Sequence, residues 1–335
     1  MEPGISNWLC HWDSGWYLSI PRIGYYVHSQ GQCNVVFFPL YPLLMYWFGF
    51  LTSDLRTAGY LVSNGFLFAS CLMLWKLVAR DYGSRALADR AVLFLLLSPL
   101  TVFYSSIYTE SLFLFLMLAV AYLADGRRWL AAGLCGFFGA LARPPGILLV
   151  ILIAVEYGAQ VMRTPGTGRT AQPFSWGEAG RALVGVALPV IGLGVYALYL
   201  HVKFGDSLAF AHAQAGWSQH LAPFWELPWA LPDDHPFHVV WICVALVISL
   251  LFFALGIVFR LRPSHLVLTA VFIVLYASLS NPAAIPRFLS VLFPFYIIAA
   301  EICLRRPRWE PFLLATSAAH AAFSIVLFVD GYWFT

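Results

Sequence analysis

The chain has 335 residues, of which 61% are hydrophobic, 17% aromatic and only 10% charged, with a formal net charge of +3. Soluble domains carry about 25% charged residues, so this composition excludes a soluble globular protein, and the net charge is too small to indicate a nucleic-acid partner. Unbroken apolar runs such as residues 239–259 also exclude the alternating strands of a membrane β-barrel, and we predict an all-α, polytopic integral membrane protein.

Residues 1–56 precede the first predicted membrane span and form the first of two large outer regions. Within them, the apolar segment 35–51 contains Pro39 and Pro42, which interrupt backbone hydrogen bonding and would be costly in the middle of a bilayer. Its many aromatic side chains suit the headgroup boundary. We therefore predict that this segment is a re-entrant or interfacial helix that does not cross the membrane.

Ten later stretches are apolar enough to cross a hydrocarbon core of ~30 Å. They lie near residues 57–79, 89–105, 109–124, 129–142, 145–162, 182–203, 237–259, 264–280, 287–304 and 312–330. The stretch 129–142 is short for a span. We predict one transmembrane domain over residues 1–335, with helices in 57–203 and 237–335 and a second outer loop at 204–236.

The positions of Lys and Arg predict the orientation of these spans, because basic loops stay in the cytoplasm. If residues 1–56 face outward, alternating the ten spans places 14 of the 19 Lys and Arg residues on the cytoplasmic side. Arg143 and Arg287 are among the few that stay outside. The outer loop 204–236 is rich in Trp, Pro and His, which is typical of either a binding surface or an interfacial cap.

Most acidic residues outside the cytoplasmic loops fall on or near the outer face. They are Asp13, Asp54, Glu110, Asp206, Glu226, Asp233 and Asp234. An ion-coupled transporter would be expected to carry ionisable groups or broken helices at the bilayer centre instead. The pattern favours an active site at the outer membrane surface.

Asp13 lies in the densest cluster of polar and aromatic residues. A helix beginning there would place Trp12, Trp16 and Ile20 on one face and Asp13 with Tyr17 on the adjacent face. Two interpretations stay open for Asp13. It either caps the helix, or it acts as a general base whose pKa is raised by nearby lipid.

Glu110, Arg143 and Arg287 are further candidates, and each has a structural alternative. Glu110 begins a span just after an outer turn, where it would equally well stabilise the helix N-terminus. The planar guanidinium of Arg143 or Arg287 suits a phosphate group, although either side chain could also extend to the lipid headgroups.

The cysteines and histidines indicate no cofactor. Cys10 and Cys33 are the two cysteines in polar sequence, and their spacing alone does not establish a disulfide. His235 and His238 lack a third ligand at metal spacing, and no clustered acidic motif indicates a divalent metal. We expect no cofactor, and a dependence on a divalent metal stays open without being indicated by the sequence.

Several segments resemble a known family. WDSGWYLSI at 12–20, followed by FFPLYPLL at 37–44, resembles the signature of the PIG-V-type mannosyltransferases, membrane glycosyltransferases of the GT-C class. SPLTVFYSSIYTESLFLFL at 98–116 resembles the family's segment of proline, aromatic residues and Tyr-x-Glu-Ser. Three further segments resemble counterparts in bacterial members of the family. They are LARPPGILL at 141–149, FGDSLAFAHAQAGW at 204–217 and PRFLSVLFPFY at 286–296.

The resemblance implies an activity and a set of partners. It implies transfer of a sugar, expected to be mannose, from a polyprenyl-phosphate donor to a lipid-linked or glycan acceptor hydroxyl. Transfer would proceed with inversion at the outer or lumenal face, in a bacterial plasma membrane rather than the endoplasmic reticulum. The aromatic helix in 35–51 would hold the donor's lipid tail among the membrane lipids.

The resemblance also implies roles for particular residues. Asp13 would be the base that activates the acceptor, and Glu110 a second acidic site residue. Arg143 and Arg287 would bind the donor phosphate. We assign substrate contacts to Trp12, Trp16, Tyr17, Tyr41 and Asp206.

One departure and three rival interpretations accompany this assignment. Members of the class begin with a span before the Trp-Asp motif, whereas only 11 residues precede Trp12 here, so we expect either a missing helix or export of residues 1–56 without one. The first rival is a secondary transporter or lipid flippase. The second is a polyprenyl-lipid ligase or acyltransferase, and the third is a non-catalytic subunit of a glycosylation complex.

Overall fold

A computed structural model describes residues 8–28, 31–162, 175–231 and 236–334. In this part of the chain the regular structure is α-helical, with short 3-10 turns and one isolated bridge between Leu221 and Leu279. The prediction of an all-α protein is confirmed. Glu2, Asp233, Asp234 and His235 lie outside the described residues.

Two short helices precede the first long one. Helix α1 covers Asp13–Ile23, and helix α2 covers Leu40–Thr52, directly after Pro39. At 13 residues, α2 is about 20 Å long, which is shorter than the ~30 Å hydrocarbon core. Its length agrees with the prediction that segment 35–51 does not cross. Several of its apolar side chains are nevertheless exposed, including Trp47 at 66% and Leu51 at 81%.

Helix α3, Leu55–Tyr82, begins where the side chain of Asp54 caps its first turn. The Asp54 carboxylate accepts hydrogen bonds from the Thr57 backbone N–H at 2.8 Å and the Thr57 hydroxyl at 2.7 Å. These bonds satisfy backbone donors that a helix start leaves unpaired.

The remaining helices follow in chain order. They are α4 Arg85–Leu96, α5 Thr101–Ser105, α6 Glu110–Asp125, α7 Trp129–Ala142, α8 Val150–Val161, α9 Trp176–Phe204, α10 Ala209–His212, α11 Leu227–Ala230, α12 Pro236–Val258, α13 Pro263–Ala277, α14 Ile285–Ser290, α15 Pro294–Arg305 and α16 Glu310–Val329. Short 3-10 turns at Pro144–Leu149 and Pro307–Trp309 run directly into α8 and α16.

Five of the described helical stretches are long and apolar enough to cross a membrane. They are Leu55–Tyr82, Pro144–Val161, Trp176–Phe204, Pro236–Val258 and Pro307–Val329. Large apolar side chains such as Leu198 (61% exposed) and Val247 (64% exposed) cover their outer surfaces, as expected for helices that face lipid. These helices support a membrane protein.

The count of ten continuous spans is not confirmed. The stretch 89–105 is divided between α4 and α5 near Pro99, and 287–304 is divided between α14 and α15 just before Pro294. Proline lacks a backbone N–H and disfavours helix at the residue before it, which explains both breaks. The short span at 129–142 appears as α7, with the bounds expected from the sequence.

The break before α15 is stabilised by two tyrosine hydroxyls. Tyr104 and Tyr296 both donate to the carbonyl oxygen of Ser290, at 2.8 and 2.7 Å, and the two hydroxyls lie 3.1 Å apart. An unpaired carbonyl in a low-dielectric interior is costly, so these bonds hold the end of α14 in place. Helix α14 carries Arg287.

Helices α7 and α9 pack at very short distance through glycine. A Cβ atom at Gly133 would lie 2.6 Å from the Gly185 backbone, and one at Gly192 would lie 2.5 Å from the Phe137 carbonyl oxygen. Small residues at such crossings allow close packing of membrane helices. This contact fixes the end of α7, where Arg143 follows.

Charged side chains gather at both ends of α6, about 24 Å apart along its axis. At the end predicted to face the cytoplasm, Arg80 pairs with Asp125 at 2.9 Å, and Arg262 pairs with Asp81 at 2.9 Å and Glu156 at 3.2 Å. These pairs join the ends of α3, α6, α8 and α13. Glu110 begins the opposite end of α6.

Candidate active site

Helix α1 begins with an unusual backbone conformation at Trp12. The φ angle of Trp12 is +48°, a region that bulky residues rarely adopt and that costs of order 1–3 kcal/mol. The Trp12 ring is held edge-on by Phe328 and Trp333, at centroid distances of 5.1 and 5.2 Å. These contacts hold the strained turn that positions the next residue, Asp13.

The prediction that Trp12 and Trp16 share a helical face is wrong. Trp12 lies before the first residue of α1, and with its positive φ the side chain lies against Phe328 of α16. Trp16 instead stacks on Phe37 at 5.9 Å and meets Trp217 of the second outer loop at 5.3 Å. Asp13 is the first residue of the helix, where the helix dipole favours a carboxylate.

Arg143 is positioned by the turn that follows α7. Because Pro144 follows it, Arg143 adopts an extended backbone with φ −155° and ψ 151°. Three residues after Arg143, Gly146 packs so tightly that a Cβ atom would lie 2.0 Å from the Gly139 carbonyl oxygen. The turn therefore folds back on α7 and directs Arg143 towards the start of α6.

Four charged residues that are distant in sequence form one continuous chain of ion pairs. Asp13 Oδ2 lies 2.6 Å from Arg287 Nη1, and Arg287 Nε lies 3.7 Å from Glu110 Oε1. Glu110 Oε1 also lies 3.3 Å from Arg143 Nη1. Positive and negative groups alternate along this cluster, so its formal charges balance. We call Asp13, Glu110, Arg143 and Arg287 the outer charge cluster.

Three members of the outer charge cluster are buried, and one reaches its edge. Glu110, Arg287 and Arg143 are 1%, 5% and 8% exposed, whereas the Asp13 side chain is 17% exposed. Buried charges are tolerated only when they are paired. Within the described residues, Glu110 Oε2 and Arg287 Nε have no hydrogen-bond partner, so the protein does not use all the hydrogen-bonding capacity of the cluster.

Aromatic rings surround the two guanidinium groups. The Arg287 Cζ atom lies 5.0 to 5.5 Å from the centroids of four rings, namely Phe288, Tyr108, Phe103 and Trp333. The Arg143 Cζ atom lies 5.1 Å from Phe288 and 5.7 Å from Phe113. Cation–π attraction in this water-poor setting stabilises both arginines in fixed positions.

Tyr17 adjoins the outer charge cluster on the α1 side. Its hydroxyl lies 3.4 Å from the hydroxyl of Thr109, the residue before Glu110, and its ring meets Phe37 edge-on at 5.0 Å. Burial, together with the charges of Glu110 and Asp13, raises the pKa of Tyr17 well above its ordinary value. Tyr17 is therefore a neutral hydroxyl at physiological pH.

Tyr41 and Asp206 form their hydrogen bonds away from the outer charge cluster, although the Tyr41 ring meets that of Tyr17 at 5.1 Å. Tyr41 is fully buried, and its hydroxyl lies 2.7 Å from the Ser63 hydroxyl and donates to the Gly59 carbonyl oxygen at 3.1 Å. Asp206 is exposed, lies 2.7 Å from His212 Nδ1 and accepts from the Leu208 N–H. The hydrogen bond with His212 lowers the pKa of Asp206. Neither set of contacts reaches the outer charge cluster.

Two residues beside Arg287 were not selected from the sequence. Tyr108 lies beside Arg287 and donates a hydrogen bond from its hydroxyl to the His11 carbonyl oxygen at 3.1 Å. Its position two residues before Glu110, in a Tyr-x-Glu pattern, could have indicated it as a site residue. Trp333 meets Arg287 from a distant part of the chain, where neither spacing nor periodicity pointed to it.

The cysteines and metal-ligand residue types add no further centre to the described part of the chain. Cys10 and Cys33 are both free thiols, so the disulfide that the sequence left open is not formed. In residues 8–28, 31–162, 175–231 and 236–334, no group of three or more His, Cys, Asp or Glu side chains is arranged to hold a metal ion.

Comparison with known proteins identifies a family in the amino-terminal part of the chain. Residues 2–157 match the model of a family described as Mannosyltransferase (PIG-V), which confirms the family resemblance of the motifs between residues 12 and 149. No curated protein and no solved structure matches the chain. The matched region contains Asp13, Glu110 and Arg143, whereas Arg287 and Trp333 lie beyond it. Over residues 2–157 the chain is thus similar to the PIG-V mannosyltransferases, and this similarity and the apolar helices support a membrane glycosyltransferase.

Proposed function

We propose that this protein is a GT-C-type mannosyltransferase that moves a sugar from a polyprenyl-phosphate donor to a hydroxyl of a lipid-linked or glycan acceptor. Transfer would proceed with inversion at the outer face of the membrane. The observation that carries the proposal is the outer charge cluster, in which two carboxylates and two arginines converge within a chain that matches a mannosyltransferase family.

The residue types in the cluster suit the chemistry of this reaction. Inverting transfer needs a base that takes the proton of the acceptor hydroxyl as its oxygen attacks the anomeric carbon. It also needs positive charge where the donor phosphate leaves with the bonding electrons. Asp13, the most exposed member, supplies the base, and Arg287 and Arg143 supply the positive charge.

The close contact between Asp13 and Arg287 suggests how the donor would enter. A phosphate group forms bidentate, charge-assisted hydrogen bonds with arginine and would compete with the carboxylate for Arg287. When Arg287 turns from Asp13 to the phosphate, the Asp13 carboxylate becomes available to accept a proton. Glu110 stays between the two arginines and maintains their spacing.

Two further observations support the outer face as the location of the site. The outer charge cluster lies at the opposite end of α6 from the ion pairs of Arg80 and Arg262, whose helix ends are predicted to face the cytoplasm. Helix α2 presents exposed apolar side chains, among them Trp47 and Phe50, that would contact lipid and the donor's polyprenyl tail.

The proposal is tested by sugar transfer in proteoliposomes that contain labelled polyprenyl-phosphate mannose and a lipid or glycan acceptor extract. We expect transfer by the wild type and a loss of about 100-fold or more in Asp13→Asn. Asp54→Asn is the matched control, because Asp54 is also on the predicted outer side but caps α3 and should leave transfer unchanged. A wild type that neither binds the donor nor transfers sugar refutes the proposed function. Full transfer by Asp13→Asn refutes the role of Asp13 alone.

A further inference from the structure

Residues 330–334 turn back at the end of α16 and bring Trp333 against Arg287 of the outer charge cluster. The turn is closed by hydrogen bonds from the Gly331 N–H to the Phe328 carbonyl at 3.1 Å and from the Tyr332 N–H to the Leu327 carbonyl at 2.9 Å. Gly331 has φ +78°, a conformation that glycine adopts without strain.

Two contacts hold this returning segment in place. Phe334 is 3% exposed and packs in a cluster with Phe103 and Phe328. The carbonyl oxygen of Trp333 lies 2.6 Å from His238 Nε2 on α12. The segment is therefore anchored at the backbone of Trp333 and at the next residue.

Trp333 occupies a distinctive place among the rings around Arg287. Phe103 and Tyr108 are fully buried, so a ligand has no access to them, whereas Trp333 is half-buried. The Trp333 ring also meets Trp12, which is itself half-buried and precedes the partly exposed Asp13. Two half-buried tryptophans therefore lie beside the ion pair of Asp13 and Arg287.

We propose that Trp333 is a substrate-contacting residue whose indole packs against the apolar face of the donor's sugar ring. This inference rests on the proposed function. In a polyprenyl-phosphate donor the sugar is bonded directly to the phosphate, so a phosphate on Arg287 places the sugar against the accessible side chains beside that arginine. Trp333 lies 5.5 Å from Arg287 Cζ and offers a flat, partly exposed ring.

The packing has an ordinary physical basis. One face of a pyranose ring presents mainly C–H groups, and an indole covers that apolar face while the sugar hydroxyls stay free to hydrogen-bond. Phe288 also touches Arg287 and is half-buried, but it lies between the two arginines, on the side where the phosphate would bind.

The test compares two probes that differ only in the sugar. Binding of labelled polyprenyl-phosphate mannose and of sugar-free polyprenyl phosphate is measured in detergent for the wild type, Trp333→Ala and Trp333→Phe. Because the indole contact with the sugar is lost, we expect Trp333→Ala to weaken donor binding about tenfold, which corresponds to about 1.4 kcal/mol. Binding of the sugar-free lipid should change less than about threefold, and Trp333→Phe should recover most of the donor affinity. Tyr332→Ala, at a neighbouring residue that is 64% exposed, should bind both probes as the wild type does.

The possible outcomes separate this inference from the proposed function. If Trp333→Ala weakens the binding of both probes equally, the ring acts only through Arg287 and the phosphate. If the binding of both probes is unchanged, the ring makes no contact with the sugar. Either result overturns the inference while a wild type that transfers mannose leaves the proposed function intact. A wild type that binds neither probe overturns both. If Trp333→Ala does not fold, Trp333→Leu takes its place: loss of the preference for the mannosylated probe is then the supporting result, and a wild-type preference is the contrary one.

Discussion

Replacing Arg287 with Met should destabilise the protein strongly, because it leaves two carboxylates without their shared partner. Arg287 is 5% exposed and lies 2.6 Å from Asp13 and 3.7 Å from Glu110. Removing one partner of a buried ion pair costs about 3–5 kcal/mol of unfolding free energy. Since Asp13 keeps partial contact with solvent and Glu110 keeps its pairing with Arg143, we expect the unfolding free energy to fall by about 3 kcal/mol.

A double-mutant cycle with Glu110→Gln shows whether this loss arises from the unpaired carboxylate. The double variant should recover about 1–2 kcal/mol relative to the sum of the single variants, because the neutral amide needs no cation beside it. Unfolding free energies are measured by equilibrium denaturation in one detergent, with Arg305→Met as the control. Arg305 forms an exposed pair with Glu301 at 2.7 Å, and its replacement should cost less than about 1 kcal/mol. A cost for Arg287→Met as small as that of the control, or strictly additive single effects, would refute the reasoning.

Three further predictions follow from the helix contacts. Tyr104→Phe removes one of the two hydroxyls that donate to the Ser290 carbonyl and should lower the unfolding free energy by about 1–2 kcal/mol in the same denaturation assay. Sugar transfer should also fall, because α14 carries Arg287. Unchanged stability would contradict this role of Tyr104. Asp54→Ala removes the side-chain cap of α3 and should lower the unfolding free energy by about 1 kcal/mol. Hydrogen bonds from Thr57 lower the pKa of Asp54, so its cap stabilises the protein at neutral pH and this stabilisation is lost as the pH falls through that lowered pKa. For Asp54→Asn, the unfolding free energy should therefore fall less steeply between neutral and acidic pH than it does for the wild type. An unchanged pH dependence would argue against the cap. Gly133→Val should separate α7 from α9 and abolish a monodisperse peak in size-exclusion chromatography, whereas Gly194→Val, where a Cβ atom meets nothing within 4 Å, should not.

Several features of the fold could be predicted from the sequence because single residues determine them. Pro39 and Pro42 indicated a short helix in 35–51, and the structure begins α2 directly after Pro39. The low charge content made Asp13 and Glu110 conspicuous, since an ionisable group in so apolar a chain is costly without a partner. The same argument drew attention to Arg143 and Arg287 on the predicted outer side.

Other features depend on contacts that no local pattern records. Hydropathy alone does not show that the stretches around Pro99 and Pro294 are broken, because each is apolar on both sides of the proline. The positive φ of Trp12 depends on packing against Phe328 and Trp333, more than 300 residues away in the sequence. For the same reason, the position of Trp333 beside Arg287 emerges only from the folded chain.

Donor binding and sugar transfer measured together on Asp13→Asn test the central claim most directly. If the donor phosphate displaces the Asp13 carboxylate from Arg287, then removing that negative charge should strengthen binding of polyprenyl-phosphate mannose while single-turnover transfer falls by about 100-fold or more. Opposite changes in affinity and rate in one correctly folded variant are the predicted result. Donor binding that weakens in proportion to transfer, or transfer that stays at the wild-type rate, would contradict the account.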